Sequence, residues 1–183
     1  MSSVLVPIAQ GCEELEAITI VDLLRRADIE VVTAGLDDKP VKASRGTNLI
    51  PDTNLDEALQ RDYDMIALPG GLPGANHLAN DLRLMERIKE MAAAGKFVCA
   101  ICAAPAALAK AGLLSGKRAT SYPGVLDTMD LTDVTYTGAP VEVDGNIITS
   151  RGPGTAMDFA LQLIEALDGA QARRTVEQAL VRT

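Results

Sequence analysis

Short apolar runs alternate with stretches of helical apolar spacing from the N-terminus almost to the C-terminus of this chain. Residues 4–8, Val-Leu-Val-Pro-Ile, read as a strand, and residues 14–27 read as a helix with Ala17, Ile20, Val21, Leu24 and Ala27 on one face. Residues 29–34 give a second strand, residues 64–68 a third and residues 96–101 a fourth, with a helix over 81–94 closed by Gly95 between the last two. That alternation is the pattern of an α/β domain built on a largely parallel sheet. A small hairpin is expected over residues 40–52, turning at Arg45-Gly46, and a short helix opens at Asn54. Beyond Gly116 the pattern predicts short strands near Ala119, over 134–136, and over 141–143 and 147–150 around Asp144-Gly145. Helices follow over 153–167 and 172–181. No linker, repeat or low-complexity segment interrupts the chain, so residues 1–183 read as one domain.

Composition narrows the partners. With 17 Lys and Arg against 25 Asp and Glu the net charge is −8, which argues against nucleic acid or an anionic membrane surface. The start, Met-Ser-Ser-Val-Leu-Val-Pro, lacks a basic leader, and the longest apolar run, residues 97–109, is too short to span a bilayer. A cytoplasmic protein with reduced thiols is the expectation for three cysteines in such a chain. One histidine and three scattered cysteines supply no metal-ligand cluster.

In an open parallel sheet, ligands sit beyond the carboxyl ends of the strands. Three unusual loops follow strands here: Gly11-Cys12-Glu13-Glu14-Leu15-Glu16, Pro69-Gly70-Gly71-Leu72-Pro73-Gly74, and Ala100-Ile101-Cys102-Ala103-Ala104-Pro105. If the strands are parallel, all three meet at one edge. Cys102 falls where a strand turns into a helix expected over 104–114, a position that exposes the side chain and aims free N–H groups at it, easing loss of the thiol proton. The segment alone leaves open whether Cys102 is reactive or a buried packing residue. Cys99, three residues back on the strand, faces the opposite side and reads as core, which weakens a redox reading of the C-x-x-C pair. Glu13 and Glu14 suit a helix N-terminus. Glu16, followed by Ala17-Ile18-Thr19-Ile20-Val21, stands at the edge of the core, where dehydration raises a carboxyl's pKa and lets it shuttle a proton beside Cys102. The glycine loop lacks a phosphate-binding signature and instead offers a backbone N–H to an oxyanion, paired with that of Ala103. His77 reads as a surface residue, so a Cys–His hydrolase is disfavoured. A second apolar set on the first helix, Leu15, Ile18 and Leu23, asks for another element or a second subunit to cover it.

These motifs, with Val21 to Ala27, Ser44-Arg45, Tyr63-Asp64 and Thr149-Ser150-Arg151-Gly152-Pro153-Gly154-Thr155, resemble the ThiJ/PfpI superfamily, and specifically its YajL-like branch, which includes the parkinsonism-associated protein deglycase. The resemblance covers nearly the whole chain. It implies a flavodoxin-like open sheet with helices on both faces, a homodimer, and no bound cofactor. It implies Cys102 as nucleophile, Glu16 as its protonated partner, and Gly71 and Ala103 as backbone donors. Arg26 and Arg45 match family arginines near the pocket and dimer contact, and Tyr122 stands where some members carry a histidine. Ala103 stands where protease-like members carry histidine, so peptidase activity is unsupported. The implied activities are glyoxalase without glutathione, release of early glycation adducts from proteins or nucleotides, and protection against carbonyl and oxidative stress. A redox-sensing chaperone using oxidation of Cys102 is the alternative. Cys12 falls in the same loop cluster, where a Cys12–Cys102 bridge is conceivable.

Overall fold

The computed structural model describes residues 1–182. In chain order the elements are β1 (Ser3–Ile8), α1 (Glu14–Arg26), β2 (Glu30–Gly35), β3 (Val41–Lys42), β4 (Asn48–Leu49), β5 (Thr53–Asn54), α2 (Leu55–Ala58), β6 (Met65–Leu68), α3 (Gly74–Asn80), α4 (Leu82–Ala93), β7 (Phe97–Ile101), α5 (Pro105–Lys110), β8 (Arg118–Ala119), β9 (Thr135–Tyr136), β10 (Val141–Asp144), β11 (Ile147–Ser150) and α6 (Ala156–Ala179). The main sheet runs β10-β11-β7-β6-β1-β2-β5, parallel throughout except for the antiparallel β10–β11 pair. Its long parallel strands stand in the flavodoxin-like order 2-1-3-4-5, with the reversal of strand order between β1 and β6. All four residues of β6 are buried, as are the last four of β7, so both faces of the sheet are covered. A continuous apolar run such as Met-Ile-Ala-Leu has the sequence form of such a strand.

Helix α4 is held at its start by Asp81, whose carboxylate accepts from the N–H groups of Arg83 and Leu84, and it buries Leu84, Met85, Ile88 and Met91. Asn54 caps α2 in the same way through the N–H of Glu57. The hairpin β3–β4 forms as expected, antiparallel.

Four features depart from the sequence expectation. The glycine loop leads into an additional helix, α3, and an additional edge strand, β5, joins the sheet. Helix α5 ends at Lys110, well short of residue 114. The two C-terminal helices abut in one run broken only where Gly169 takes φ 86° and ψ 170°. Of the second apolar set on α1, Leu23 is covered by another element: it is 2% exposed because α6 packs along α1. Leu15 and Ile18, the other two residues of that set, keep 50% and 49% exposure. Among the described residues, no helix is long and apolar enough to cross a membrane.

Candidate active site

Because β1, β6 and β7 are parallel neighbours, the three singled-out loops emerge side by side at the carboxyl edge, next to the reversal of strand order. Cys102 is the apex of the turn after β7 and adopts φ +66°, a left-handed conformation costly for a residue with a side chain. The surroundings over-determine it. Its N–H donates to the carbonyl of Ser150 at 2.9 Å, its carbonyl accepts from the N–H of Tyr122 at 2.8 Å, and the N–H of Ala104 closes the turn onto Ile101 at 3.0 Å. Pro105 then starts α5 at a position that needs no N–H.

The sulfur receives the backbone N–H groups of Gly71 and Ala103, the two donors read from the sequence. Glu16 reaches the same point from the first turns of α1. It is fully buried, its Oε2 accepts the N–H of Gly70 at 2.8 Å, and its side chain stands close enough to Cys102 for each to shift the other's titration. Its other oxygen, Oε1, faces no N–H or O–H donor, so a proton on that atom directed at the sulfur would satisfy it.

Burial pushes the Glu16 carboxyl up to about 7, with the negative charge of Glu13 adding to the rise and the Gly70 N–H and Cys102 opposing it. The expectation for the thiol needs correction. Burial pushes Cys102 up to about 12, the charge of an ionised Glu16 and the bond to it push the same way, and the N–H groups of Gly71 and Ala103 only partly offset them. Cys102 is 9% exposed, and α5, only 6 residues long, contributes a small dipole. The sulfur does not ionise by itself. Above neutrality the pair retains one proton, and a thiolate forms there only when Glu16 takes that proton from the sulfur.

Gly70 is the backbone that threads between the two groups. A Cβ there would lie 2.6 Å from Cys102 Cβ, 2.8 Å from Glu16 Oε2 and 2.9 Å from the Ile101 carbonyl. Gly70→Ala is therefore expected to lower stability by about 2 kcal/mol and to separate the pair. The checks are a denaturant midpoint and the alkylation rate of Cys102, and wild-type values for both would contradict this packing. Gly71 takes φ +86°, and a Cβ there would collide with the Glu13 nitrogen and come 2.7 Å from the Cys12 carbonyl carbon, so the loop that presents its N–H has room only for glycine.

Sequence reasoning passed over Glu13. It is 9% exposed, its N–H donates to the Gly70 carbonyl at 2.9 Å, and its carboxylate accepts from Ser44 Oγ at 2.9 Å. It thereby joins the hairpin to the glycine loop. The structure places Arg45 at this rim, its backbone N–H on the Glu14 carboxylate at 3.1 Å and its exposed guanidinium 3.9 Å from Glu13. Burial works upward on Glu14, but its own N–H and those of Arg45 and Thr47 outweigh it and hold the carboxyl down to about 2. Arg26 is not brought to the pocket: it pairs with Asp22 at 2.7 Å at the far end of α1, about 18 Å along the helix axis from Glu14. Tyr122 lies beside the turn, half exposed, its ring over Gly152. His77 is exposed on α3, and Cys99 is fully buried in β7. Cys12 lies buried in the loop cluster, its thiol pushed up to about 11 chiefly by burial, and all three cysteines are free. Among the described residues, no group of three or more His, Cys, Asp or Glu could hold a metal ion.

The model of the DJ-1/PfpI family matches residues 2–166. The chain belongs to the DJ-1/PfpI family. Protein DJ-1 homolog B of Arabidopsis thaliana is 46% identical over 170 residues, which are 92% of this chain and 38% of that protein. The chain thus spans well under half of that relative. Glutathione-independent glyoxalase DJR-1.2 of Caenorhabditis elegans is 34% identical over 171 residues, 93% of this chain and 91% of that one. The crystal structure of Drosophila melanogaster DJ-1beta superposes with a TM-score of 0.95 at 41% identity, covering 100% of both chains. The flavodoxin-like sheet and its small hairpin are thus those of a DJ-1/PfpI fold.

Proposed function

We propose that this protein is a cysteine-dependent glyoxalase that converts methylglyoxal or glyoxal, or their early adducts, to the hydroxy acid without glutathione. The carrying observation is the buried Cys102–Glu16 pair with the Gly71 and Ala103 N–H groups converging on the sulfur. A relative bearing the name of a glutathione-independent glyoxalase supports the reading.

The chemistry needs a nucleophile, an oxyanion site and a group that moves one proton between adjacent carbons. Cys102 attacks the aldehyde carbon and forms the S–C bond, while its proton passes to Glu16. Glu16 returns that proton to the new oxyanion, which the two backbone N–H groups have held, giving a hemithioacetal. The carboxylate then removes the hydrogen on C1 and the enediol forms. Glu16 protonates C2, leaving a thioester on Cys102 with a hydroxyl on C2, the hydroxyl protons being redistributed through solvent. Water attacks the thioester, the sulfur leaves and regains a proton, and lactate departs. C1 is oxidised and C2 reduced, so electrons balance within the substrate and the overall change is addition of one water. A carboxyl pushed up to about 7 is suited to both taking and giving that proton at neutral pH. The test is lactate formed from methylglyoxal, and glycolate from glyoxal, by purified protein with no thiol added.

A further inference from the structure

Beside the Cys102 turn lies a shallow cavity of about 270 Å³ lined by Tyr122, Pro123, Arg151, Gly152, Pro153 and Thr155, among others. Both walls are tied to the nucleophile's own backbone. The Tyr122 N–H donates to the Cys102 carbonyl at 2.8 Å, and the Cys102 N–H donates to the carbonyl of Ser150, the residue before Arg151, at 2.9 Å. The floor is kept open by Gly152, where a Cβ would come 3.1 Å from the Tyr122 ring. The walls are a ring face and two prolines around a shallow space of small-molecule dimensions.

Arg151 is the one cation in this lining. It is exposed, its N–H is spent on the Pro140 carbonyl, and its guanidinium has no carboxylate or hydrogen-bond partner among the described residues. Elsewhere the site carries three acids, Glu13, Glu14 and Glu16, and the one guanidinium at that rim, Arg45, already stands 3.9 Å from Glu13, so Arg151 is the cation left without an acidic neighbour. Resting on the glyoxalase reading of Cys102, we infer that this cavity is a subsite for the amine- or thiol-bearing part of an adduct, with Arg151 pairing to its free α-carboxylate. The favoured substrates are then dicarbonyl adducts of free amino acids and cysteine, in which a carboxylate stands a few atoms from the reacting carbon.

The test compares the alkylation of Cys102 by iodoacetate, which bears a carboxylate, and by neutral iodoacetamide, read by mass spectrometry of the Cys102 peptide. The ratio of the two rates is expected to fall about three- to tenfold in Arg151→Gln and to hold close to wild type in Arg151→Lys. A ratio unchanged in Arg151→Gln overturns the inference. In parallel, lactate formation is compared for the methylglyoxal hemithioacetals of N-acetylcysteine and of its uncharged amide. A preference for the acid, expressed in KM and lost in Arg151→Gln, supports the subsite, and equal KM values in the wild type overturn it. Absence of lactate from every substrate defeats the glyoxalase reading itself, and the alkylation ratio still decides the role of Arg151.

Discussion

Cys102→Ser forms lactate from methylglyoxal at least about a thousandfold more slowly than wild type, because the hydroxyl is far harder to ionise and no histidine stands beside it to act as base. Cys102→Ala has no nucleophile and reaches the background of the reaction in buffer. Cys12→Ser and Cys99→Ser serve as comparisons, since both thiols are fully buried and face no carboxyl hydrogen bond. The Cys102 variants are expected to remain folded, because the residue packs at the surface of the core and Ser differs from Cys by one atom. The φ of +66° costs Ser and Ala about what it costs Cys, so a fall in activity without a fall in denaturant midpoint is the expected signature. Lactate production by Cys102→Ser within tenfold of wild type would remove the covalent route.

Glu16→Gln produces the second large effect, a loss of about a hundred- to ten-thousandfold in kcat. The amide occupies the same space and keeps a hydrogen bond available to Gly70, but it neither accepts the thiol proton nor carries one from C1 to C2. Methylglyoxal capture and turnover then separate. The variant still forms the hemithioacetal, seen as an added mass on the Cys102 peptide after reduction with borohydride, and releases no lactate. Glu16→Asp withdraws the carboxyl from the sulfur by one methylene and is expected to retain part of the rate. If Glu16→Gln turned over at the wild-type rate, proton transfer would have to be assigned elsewhere, with Glu13 the nearest remaining buried acid.

Much of this arrangement is legible in the sequence because it follows from topology. Parallel strands bring the loops after β1, β6 and β7 to one edge, so Glu16, Gly71 and Cys102 are joined by strand direction alone. The strand-to-helix turn at Cys102 and the Ala103 N–H also follow from local pattern, and Gly71 was singled out within the glycine loop by the family resemblance. What the pattern misjudged depends on solvent. A turn that bares a side chain in an isolated βα unit does not do so once the glycine loop and α1 close over it, and burial then outweighs the N–H groups at the sulfur. For Leu23 the pattern left open whether another element or a second subunit covers it, and only tertiary packing shows that α6 does. Glu13 resembled an ordinary helix-start acid until the hairpin supplied Ser44 as its donor. Arg26 could have been placed by helix geometry, which sets it near the far end of α1.

The account turns on one proton held jointly by Cys102 and Glu16, and the direct measurement is a pH titration of thiolate absorbance and of Cys102 alkylation in wild type and Glu16→Gln. In the wild type, full ionisation of the thiol has to occur against the charge of Glu16 and is pushed up to about 12, with an earlier partial rise as the carboxyl titrates near 7. In Glu16→Gln that charge is gone, so the early rise disappears and the thiol ionises in one step at lower pH than the upper step of the wild type. Superimposable curves for the two proteins would show that sulfur and carboxyl titrate independently and would contradict the account.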